Sequence, residues 1–442
     1  MVVGLLRRVV LAACLALPLC AQAQEPERLR IHGSNTIGER LMPALVEDWL
    51  RSIGYGDLQR ASPSAALTEI RAVRDGQSLL VQIDRRGSTH GLQALVQGQA
   101  ELAMSTRPPN AAEREAGWQL GDLSSPDQQF VLARNGARVL VAQDNPLRQL
   151  DLEQLRALLA GRVGNWKQLG GADRPLHLLC SDGGAGLADY LRQRVGALER
   201  RACTRTLRDL RAVAAAVAAD PQAIALVELA TPAVAGTRAL AVSDGGIAVR
   251  PDAVGVRSED YPLVQRYTVY GGQMMSALGR SLALYLLGPS AQRVVARQGF
   301  DAMTLPPPAG DAAPAAAADD AYGQAVAGAV RLPLGVRFDL RSLSTMFEGG
   351  SAQDLDRLVA WMQQPQYRHR PLAVVGFANA DPANKLFPTI ASNDRADIVA
   401  GYLAERGIVV QRARGLGAVR PLAGASDPAA RQRNERVEIW LL

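Results

Sequence analysis

A segment near residue 310 divides the chain into two parts that must fold separately. Residues 304–320 read TLPPPAGDAAPAAAADD, with three consecutive prolines, no periodic pattern and almost no large apolar side chain. Such a segment cannot bury enough apolar surface to form a core, and its composition is typical of a linker that spans roughly 50 Å when extended. We therefore predict a linker over residues 304–324, with a longer unit before it and a shorter unit after it.

The first residues of the chain have the pattern of a secretory signal peptide. Arg7 and Arg8 form its charged part, an apolar stretch follows, and residues 21–23 (AQA) form a small-x-small cleavage site. We predict a signal peptide over residues 1–23, a mature chain from Gln24 and export to the periplasm. Lipidation at Cys20 is the alternative, but Leu19 stands where such signals require a small residue.

The charge and the apolar pattern of the chain argue against a nucleic-acid-binding protein and against a membrane-spanning segment after the signal peptide. The formal net charge of the full chain is +6, of which Arg7 and Arg8 of the signal peptide contribute two, and the rest is spread thinly, without the Lys/Arg block of a nucleic-acid-binding arm. No segment after the signal peptide reaches the roughly 20 apolar residues that span a bilayer. We therefore expect no bound nucleic acid and no membrane-spanning helix.

Two cysteines, Cys180 and Cys203, remain after the predicted cleavage. An even pair in an oxidising compartment predicts a disulfide. Two free, buried cysteines are the alternative, because a free cysteine often behaves as a small apolar residue.

The longer unit repeats the order strand, Gly/Ser turn, helix four times. This order predicts an α/β fold with parallel sheets. Residues 130–141 also have the periodicity of a strand, and Asn135-Gly136 within them predicts a hairpin turn. The shorter unit alternates strands and helices over the length of an ordinary domain, which predicts a compact α/β sandwich.

The four turns place small, polar or charged residues at the ends of strands and the starts of helices. Helix N-termini expose unpaired N–H groups and the positive end of the helix dipole. If the turns converge, they can bind a phosphate-like anion without a metal or another cofactor. A single turn of this kind is more typical of a helix cap. The candidate residues are Ser34, Asn35, Thr36, Arg86, Ser88, Thr89, Ser105, Thr106, Arg107, Asp182 and Gly183.

Residues 29–300 resemble the PstS-like phosphate-binding periplasmic proteins of ABC transporters. The resemblance implies a two-lobed periplasmic-binding-protein fold of type II over residues 24–303, with phosphate or a similar oxyanion in the cleft and an ABC transporter permease as a partner. It also places the two crossings between the lobes just after Met104 and near residues 225–229. The matching stretches include Gly33–Thr36, Gly87–Leu92, Gly98–Arg107, Asn145–Leu147, Asn165–Trp166, Ala223–Val227 and Tyr261–Leu263.

The second-lobe turn departs from the family pattern. Cys180 stands where the family has an arginine, and Gly184 and Gly186 replace hydroxyl residues. We expect Arg86 or Arg107 to supply the missing charge. The alternative is a structural envelope protein whose first domain has lost anion binding and acts as an interaction module.

Residues 325–442 resemble the OmpA-like peptidoglycan-binding domain. The matching stretches are Val375–Phe377, Arg395–Ala396, Gly407–Ile408 and Asn434–Ile439. The resemblance implies association with the cell wall or the outer membrane. The implied peptidoglycan-binding residues are Arg395, Asn379 at the position of the family's Asp, Asp381 two residues on, and Arg436. The alternative is that the two arginines are ordinary surface or ion-pair residues.

The residue pattern does not favour an enzyme. The histidines His32, His90, His177 and His369 are scattered, and no pair has the spacing of metal ligands. There is also no G-x-S-x-G elbow and no P-loop. We therefore predict a binding protein without a metal or cofactor.

Overall fold

The chain folds into two lobes followed by a smaller third domain. The computed structural model describes residues 26–182, 185–308, 310–314, 317, 320–338, 346–424 and 431–442. The predicted signal peptide and Gly183 lie outside these residues. No helix in the described part of the chain is long and apolar enough to cross a membrane.

The first lobe is built on strands whose side chains alternate between its core and the surface. In the first strand, Leu29 and Ile31 are buried, and Arg28 and Arg30, which alternate with them, are exposed. This period of two is what a half-buried strand requires. The elements of this part are β1 (Glu27–Gly33), α1 (Met42–Ser52), β2 (Gly56–Ser64), β3 (Leu67–Arg74), β4 (Gln77–Asp84), α2 (Ser88–Val96), β5 (Leu102–Ser105) and α3 (Ala111–Ala116).

One long strand, β6 (Gln129–Ala142), connects the two lobes. The hairpin predicted at Asn135-Gly136 is wrong, because both residues lie inside this strand. Gly136 has φ +151°, and a Cβ there would lie 1.9 Å from the carbonyl oxygen of Leu263. Glycine at this position therefore permits the close approach of two chain segments.

The second lobe begins at the far end of β6. It contains β7 (Gln149–Asp151), α4 (Leu152–Leu159), β8 (His177–Ser181), α5 (Ala185–Arg194), β9 (Arg205–Leu207), α6 (Leu210–Ala219), β10 (Ala223–Glu228), β11 (Thr237–Ala239), β12 (Ala241–Ser243) and α7 (Ala253–Arg257). Cys180 at the end of β8 is bonded to Cys203, with Cα atoms 5.7 Å apart. The predicted disulfide is confirmed.

The chain then returns to the first lobe through β13 (Val264–Gly271), α8 (Ala277–Leu287), α9 (Pro289–Arg297) and β14 (Asp301–Ala302). A continuous sheet runs through both lobes in the order β2-β3-β4-β1-β5-β13-β6-β10-β8-β9.

The crossings between the lobes lie elsewhere than predicted. The first half of β6, up to Gly136, pairs with β13, and the second half pairs with β10. The chain therefore crosses within β6 and again at Leu263–Val264, and not after Met104 or near residues 225–229. The two crossing segments touch, because the N–H of Ala137 donates to the carbonyl of Leu263 at 3.0 Å.

The third domain is a four-stranded sheet with helices. Its elements are α10 (Ala321–Val326), β15 (Val330–Arg337), α11 (Gly349–Met362), β16 (Leu372–Gly376), α12 (Phe387–Ala404), β17 (Val410–Gly415) and β18 (Arg436–Leu441), and the strand order is β15-β18-β16-β17. Helices α11 and α12 cover an apolar core that includes Leu334, Leu355 and Val399. Leu305, from the predicted linker, packs against this core.

Buried ion pairs dock the third domain against the crossing between the lobes. Arg134 of β6 donates to Glu259 at 2.7 Å and to Asp354 of α11 at 2.6 Å. Arg266 of β13 contacts both Glu259 and Glu348, which precedes α11. Each of these pairs joins the crossing segments to one another or to the third domain.

A neighbouring set of pairs extends the same contact. Asp260 accepts from Arg331 at 2.5 Å and from Arg337 at 2.9 Å, and both arginines belong to β15. Burial alone would raise the pKa of Glu259, but Arg266 and Arg134 outweigh this effect and lower its pKa to about 2. Glu259 therefore stays ionised between its two arginines.

We predict that Glu259→Gln destabilises the protein by about 1.5–3 kcal/mol at neutral pH, because it removes the charged acceptor that the buried Arg134 and the partly buried Arg266 share. A carboxyl with a lowered pKa stabilises the fold above its unfolded pKa and loses that contribution as pH falls through the folded pKa. The difference between variant and wild type should therefore shrink as pH falls from about 5 toward 2. Chemical denaturation of both proteins across this pH range measures the difference in their free energies of unfolding.

The matched control is Glu115→Gln, at an exposed position of α3. It should change the free energy of unfolding by less than about 0.5 kcal/mol. Equal stability of Glu259→Gln and wild type at pH 7 would show that the buried pairs do not hold the domains.

Candidate functional site

The first turn of the predicted anion site follows β1. Ser34 is buried, and its Oγ accepts a hydrogen bond from the N–H of Ile37 at 3.4 Å. Its own N–H donates to the carbonyl of Met104 at 2.8 Å. Ser34 thus caps the helical segment that leads into α1. Asn35 beside it is exposed, and Thr36 is half-buried.

The second and third turns of the first lobe meet in a hydroxyl cluster, which consists of Ser88, Thr89, Ser105 and Thr106. The hydroxyls of Ser88 and Thr106 lie 3.4 Å apart, and the N–H of Thr106 donates to Ser88 Oγ at 3.2 Å. Ser88 and Thr89 begin helix α2, so unpaired N–H groups and the positive end of its dipole lie beside the hydroxyls. The structure therefore brings together four of the predicted residues.

Arg107 joins the hydroxyl cluster, but its charge already has a partner. Its guanidinium donates to both oxygens of Glu113, at 2.6 and 2.7 Å, and to Thr89 Oγ1 at 2.9 Å. Burial alone would raise the pKa of Glu113, but the hydrogen bonds from Arg107 and Asn110 outweigh it and lower the pKa below its usual range. Glu113 therefore stays ionised beside Arg107.

Arg86, the other arginine expected to supply charge, points to a different partner. Its Nε lies 2.9 Å from both carboxylate oxygens of Asp84, and its side chain is 58% exposed. The structure thus pairs Arg86 with Asp84 and leaves it outside the hydroxyl cluster.

The second lobe approaches the first at the N-terminal turn of α5. A Cβ at Gly186 would lie 3.1 Å from Thr36 Oγ1, so a larger residue would crowd the opposite lobe. Glycine here, which departs from the family pattern, fits this close approach. Asp182 is exposed, and its N–H donates to the carbonyl of Leu207 at 2.9 Å. Gly183 lies outside the described residues.

A cavity of about 430 Å³ opens beside Thr106 and Arg107. Tyr190 and Arg194 of α5 line it from the second lobe, and Arg337 and Arg433 line it from the third domain. Sequence reasoning missed these last four residues, because the cavity walls come from three separate parts of the chain.

One carboxylate binds two of the arginines that line this cavity. Asp244 accepts from Arg194 at 3.0 Å and from Arg433 at 2.7 Å. Burial and the charge of Arg194 lower the pKa of Arg433 to about 10, so it remains protonated at neutral pH. These two guanidinium groups share one carboxylate, and Glu259 and Glu348 also line the cavity.

In the third domain, Asn379 and Arg395 meet around a carboxylate that sequence reasoning did not select. Glu435 lies 3.0 Å from the guanidinium of Arg395 and accepts from the amide of Asn379 at 2.8 Å. Glu435 is therefore the carboxylate that pairs with Arg395 in this structure. Asn434 donates to the other end of the Asn379 amide at 3.1 Å.

The other two predicted residues of this site have local roles. Arg436 is 1% exposed, donates to Glu438 at 3.0 Å and lies over the ring of Phe377. Its side chain is therefore buried within the third domain. Asp381 accepts from the N–H of Ala383 at 2.9 Å and so shapes the loop before α12.

Comparison with known proteins assigns the two lobes and the third domain to two different families. A model of the PBP superfamily domain matches residues 64–290, and a model of the OmpA family matches residues 344–435. None of the curated proteins compared matches the chain.

Two solved structures are similar to the first domain. An ABC-type phosphate transport receptor from Vibrio cholerae is 18% identical, and the match covers 62% of this chain and 99% of that chain with a TM-score of 0.48. PstS from Borrelia burgdorferi is also 18% identical, and the match covers 62% of this chain and 98% of that chain with a TM-score of 0.47.

The predicted fold, a two-lobed binding protein followed by a small α/β domain, is confirmed by the architecture and by the family matches. The first match spans 227 of the 442 residues. The chain therefore belongs to the PBP superfamily, and an OmpA-family domain follows its binding-protein domain.

Proposed function

We propose that this protein is a binding protein of the cell envelope that takes phosphate or a similar oxyanion between its lobes and attaches to peptidoglycan through its C-terminal domain. The observation that carries the proposal is the hydroxyl cluster at the start of α2, which adjoins the cavity between the lobes. The predicted signal peptide, if cleaved after residue 23, places the mature protein in the periplasm.

The hydroxyl cluster suits an oxyanion because Ser88, Thr89 and Thr106 offer hydroxyl donors close together, whereas the buried Ser105 hydroxyl donates to the carbonyl of Arg107. A hydrogen bond to a charged group contributes about 1.5–3 kcal/mol, so two or three of them support specific binding. Arg107 orients Thr89 and stays near the anion, although Glu113 offsets its charge. Arg194 and Arg433, which share Asp244, supply the additional positive charge across the cavity.

The same contacts favour binding over catalysis. A nucleophilic serine needs an adjacent base to remove its proton. Ser88 contacts the hydroxyl and the backbone of Thr106, which cannot serve as that base. An ABC transporter permease would receive the bound anion if the protein serves transport, as the resemblance to transport receptors implies.

Attachment to peptidoglycan would use Arg395 and Asn379. The planar guanidinium of Arg395 suits a carboxylate of the peptide stem, which would compete with Glu435 for it. The OmpA-family match supports this assignment of the domain. The docked domain would then hold the two lobes at the cell wall.

A structural envelope protein is the second candidate function. The observation in its favour is that Arg86 and Arg107, the two expected sources of charge, are each bound to a carboxylate of the protein. In that case the first domain would bind no small anion and would act as an interaction module.

We predict that Ser88→Ala combined with Thr106→Val weakens phosphate binding at least tenfold, because each lost hydrogen bond to the anion costs more than about 1 kcal/mol. Calorimetric titration of the mature chain with phosphate, with sulfate as the comparison anion, measures the change. Ser78→Ala, exposed at the far end of β4, is the matched control and should bind as the wild type does. Absence of phosphate binding by the wild type would favour the structural candidate, and unchanged affinity in the double variant would move the site elsewhere.

For the third domain, we predict opposite effects of two substitutions at one ion pair. Arg395→Ala should reduce binding to isolated sacculi at least tenfold, because it removes the guanidinium that receives the stem carboxylate. Glu435→Gln should strengthen binding several-fold, since it removes the carboxylate that competes for Arg395. Co-sedimentation with purified peptidoglycan compares them.

Arg414→Ala, at an exposed position of β17, is the control for these variants and should co-sediment like the wild type. Full retention of binding by Arg395→Ala would contradict the assignment of this site.

A further inference from the structure

Two histidines and an aspartate meet in the first lobe, beside the hydroxyl cluster and at the Asp84 carboxylate that Arg86 binds. His32 ends the exposed face of β1, and Asp84 lies directly opposite it in the parallel register of β4. Residues paired in this way point to the same side of a sheet. His90 reaches the same place from the first turn of α2.

The three side chains are close enough to share one ion. One ligand atom from each residue lies within 4.8 Å of the others, and His90 Nε2 is 3.6 Å from Asp84 Oδ2. The two imidazole rings are stacked, with centroids 5.5 Å apart and planes inclined by 14°. Ligands of a tetrahedral zinc ion lie about 3.3 Å from one another, so small side-chain movements would complete the geometry.

The ring nitrogens lack other partners. His32 Nδ1 and His90 Nε2 are both buried and have no hydrogen-bond partner among the described residues. Buried polar atoms are almost always paired, and two unpaired nitrogens in one cluster indicate an absent ligand.

We propose that His32, Asp84 and His90 bind one divalent zinc ion. Two imidazoles and a carboxylate are a ligand set that zinc takes in proteins, with a fourth position left for water or another ligand. The site does not depend on anion binding, because none of its three ligands belongs to the hydroxyl cluster.

Arg86 is the group that opposes this site. Its guanidinium binds the Asp84 carboxylate, which has lone pairs enough for both an arginine and a metal. The positive charge of Arg86 nevertheless repels a divalent ion that binds the same carboxylate. Because the Arg86 side chain is mostly exposed, its removal should leave the fold intact.

The sequence spacing did not indicate this cluster. His32 and His90 are far apart in the chain and are brought together by the pairing of β1 with β4 and by the packing of α2 on β1. Metal-ligand spacing within a single element, which was the sequence criterion, cannot detect ligands contributed by three elements.

The test is equilibrium dialysis of the full mature chain against zinc, with the bound metal measured by elemental analysis. We expect one zinc ion per chain for the wild type. His32→Gln and His90→Gln should each weaken binding at least tenfold, and Arg86→Gln should strengthen it several-fold. Replacement of zinc by cobalt should give the visible absorption of a four-coordinate ion.

His177→Gln is the matched control, because His177 is held by Asp220 at 2.8 Å in the second lobe. It should bind zinc as the wild type does. Circular dichroism of each variant checks that it folds, and Arg86→Gln tests the site without touching a ligand. The proposal is overturned if the wild type binds no zinc, or if His32→Gln and His90→Gln bind zinc as tightly as the wild type does. Weaker zinc binding by Arg86→Gln would also overturn it.

Discussion

Two adjacent carboxylates, the partly buried Glu259 and the buried Asp260, hold the three parts of the molecule together. Glu259 binds arginines from both strands at the crossing, and Asp260 binds two arginines from β15 of the third domain. Removing a buried charge from water costs several kcal/mol, so each of these groups is stable only while its partners remain. The third domain therefore cannot leave the crossing without exposing or unpairing several charges at once.

This arrangement changes what the third domain contributes. A domain joined only by a proline- and alanine-rich linker would serve as a tether. Here Arg337 and Arg433 also form part of the cavity wall beside the cleft. The segment before residue 425 continues the contact with the second lobe, because the N–H of Gly424 donates to the carbonyl of Asp244 at 2.8 Å.

A chain of hydrogen bonds connects the predicted peptidoglycan site to the second lobe. Asn434 accepts from the N–H groups of Leu422 and Ala423, and its amide donates to Asn379. Ala423 in turn bridges to Asp244 and Gly245 of the second lobe. A single asparagine thus links the Arg395 site to the segment that meets the lobes.

Sequence patterns predicted those features that depend on neighbouring residues. The alternation in β1, the hydroxyl-bearing turns and the pairing of Cys180 with Cys203 all followed from local composition and compartment. The hairpin at Asn135-Gly136 failed, because that glycine serves a contact with Leu263 rather than a turn.

Other features depend on contacts between distant parts of the chain. Glu113 and Asp84 neutralise the arginines that were expected to bind the anion, and nothing in the spacing of these residues indicates the pairing. The arginine-lined cavity and the cluster of His32, Asp84 and His90 likewise form only after strands and domains pack. Long-range pairing, which a single sequence does not reveal, decided where the charges lie.

The most direct test of the docked arrangement is the distance between spin labels on the first and third domains. Gln93→Cys on α2 and Asp397→Cys on α12 are both at exposed positions, and the cysteines at 180 and 203 are bonded to each other and would not react. Pulsed electron–electron double resonance should give a single narrow distribution of distances between the two spin labels in the mature chain. A broad distribution, as an extended linker of roughly 50 Å would allow, would contradict the docking of the third domain on the crossing.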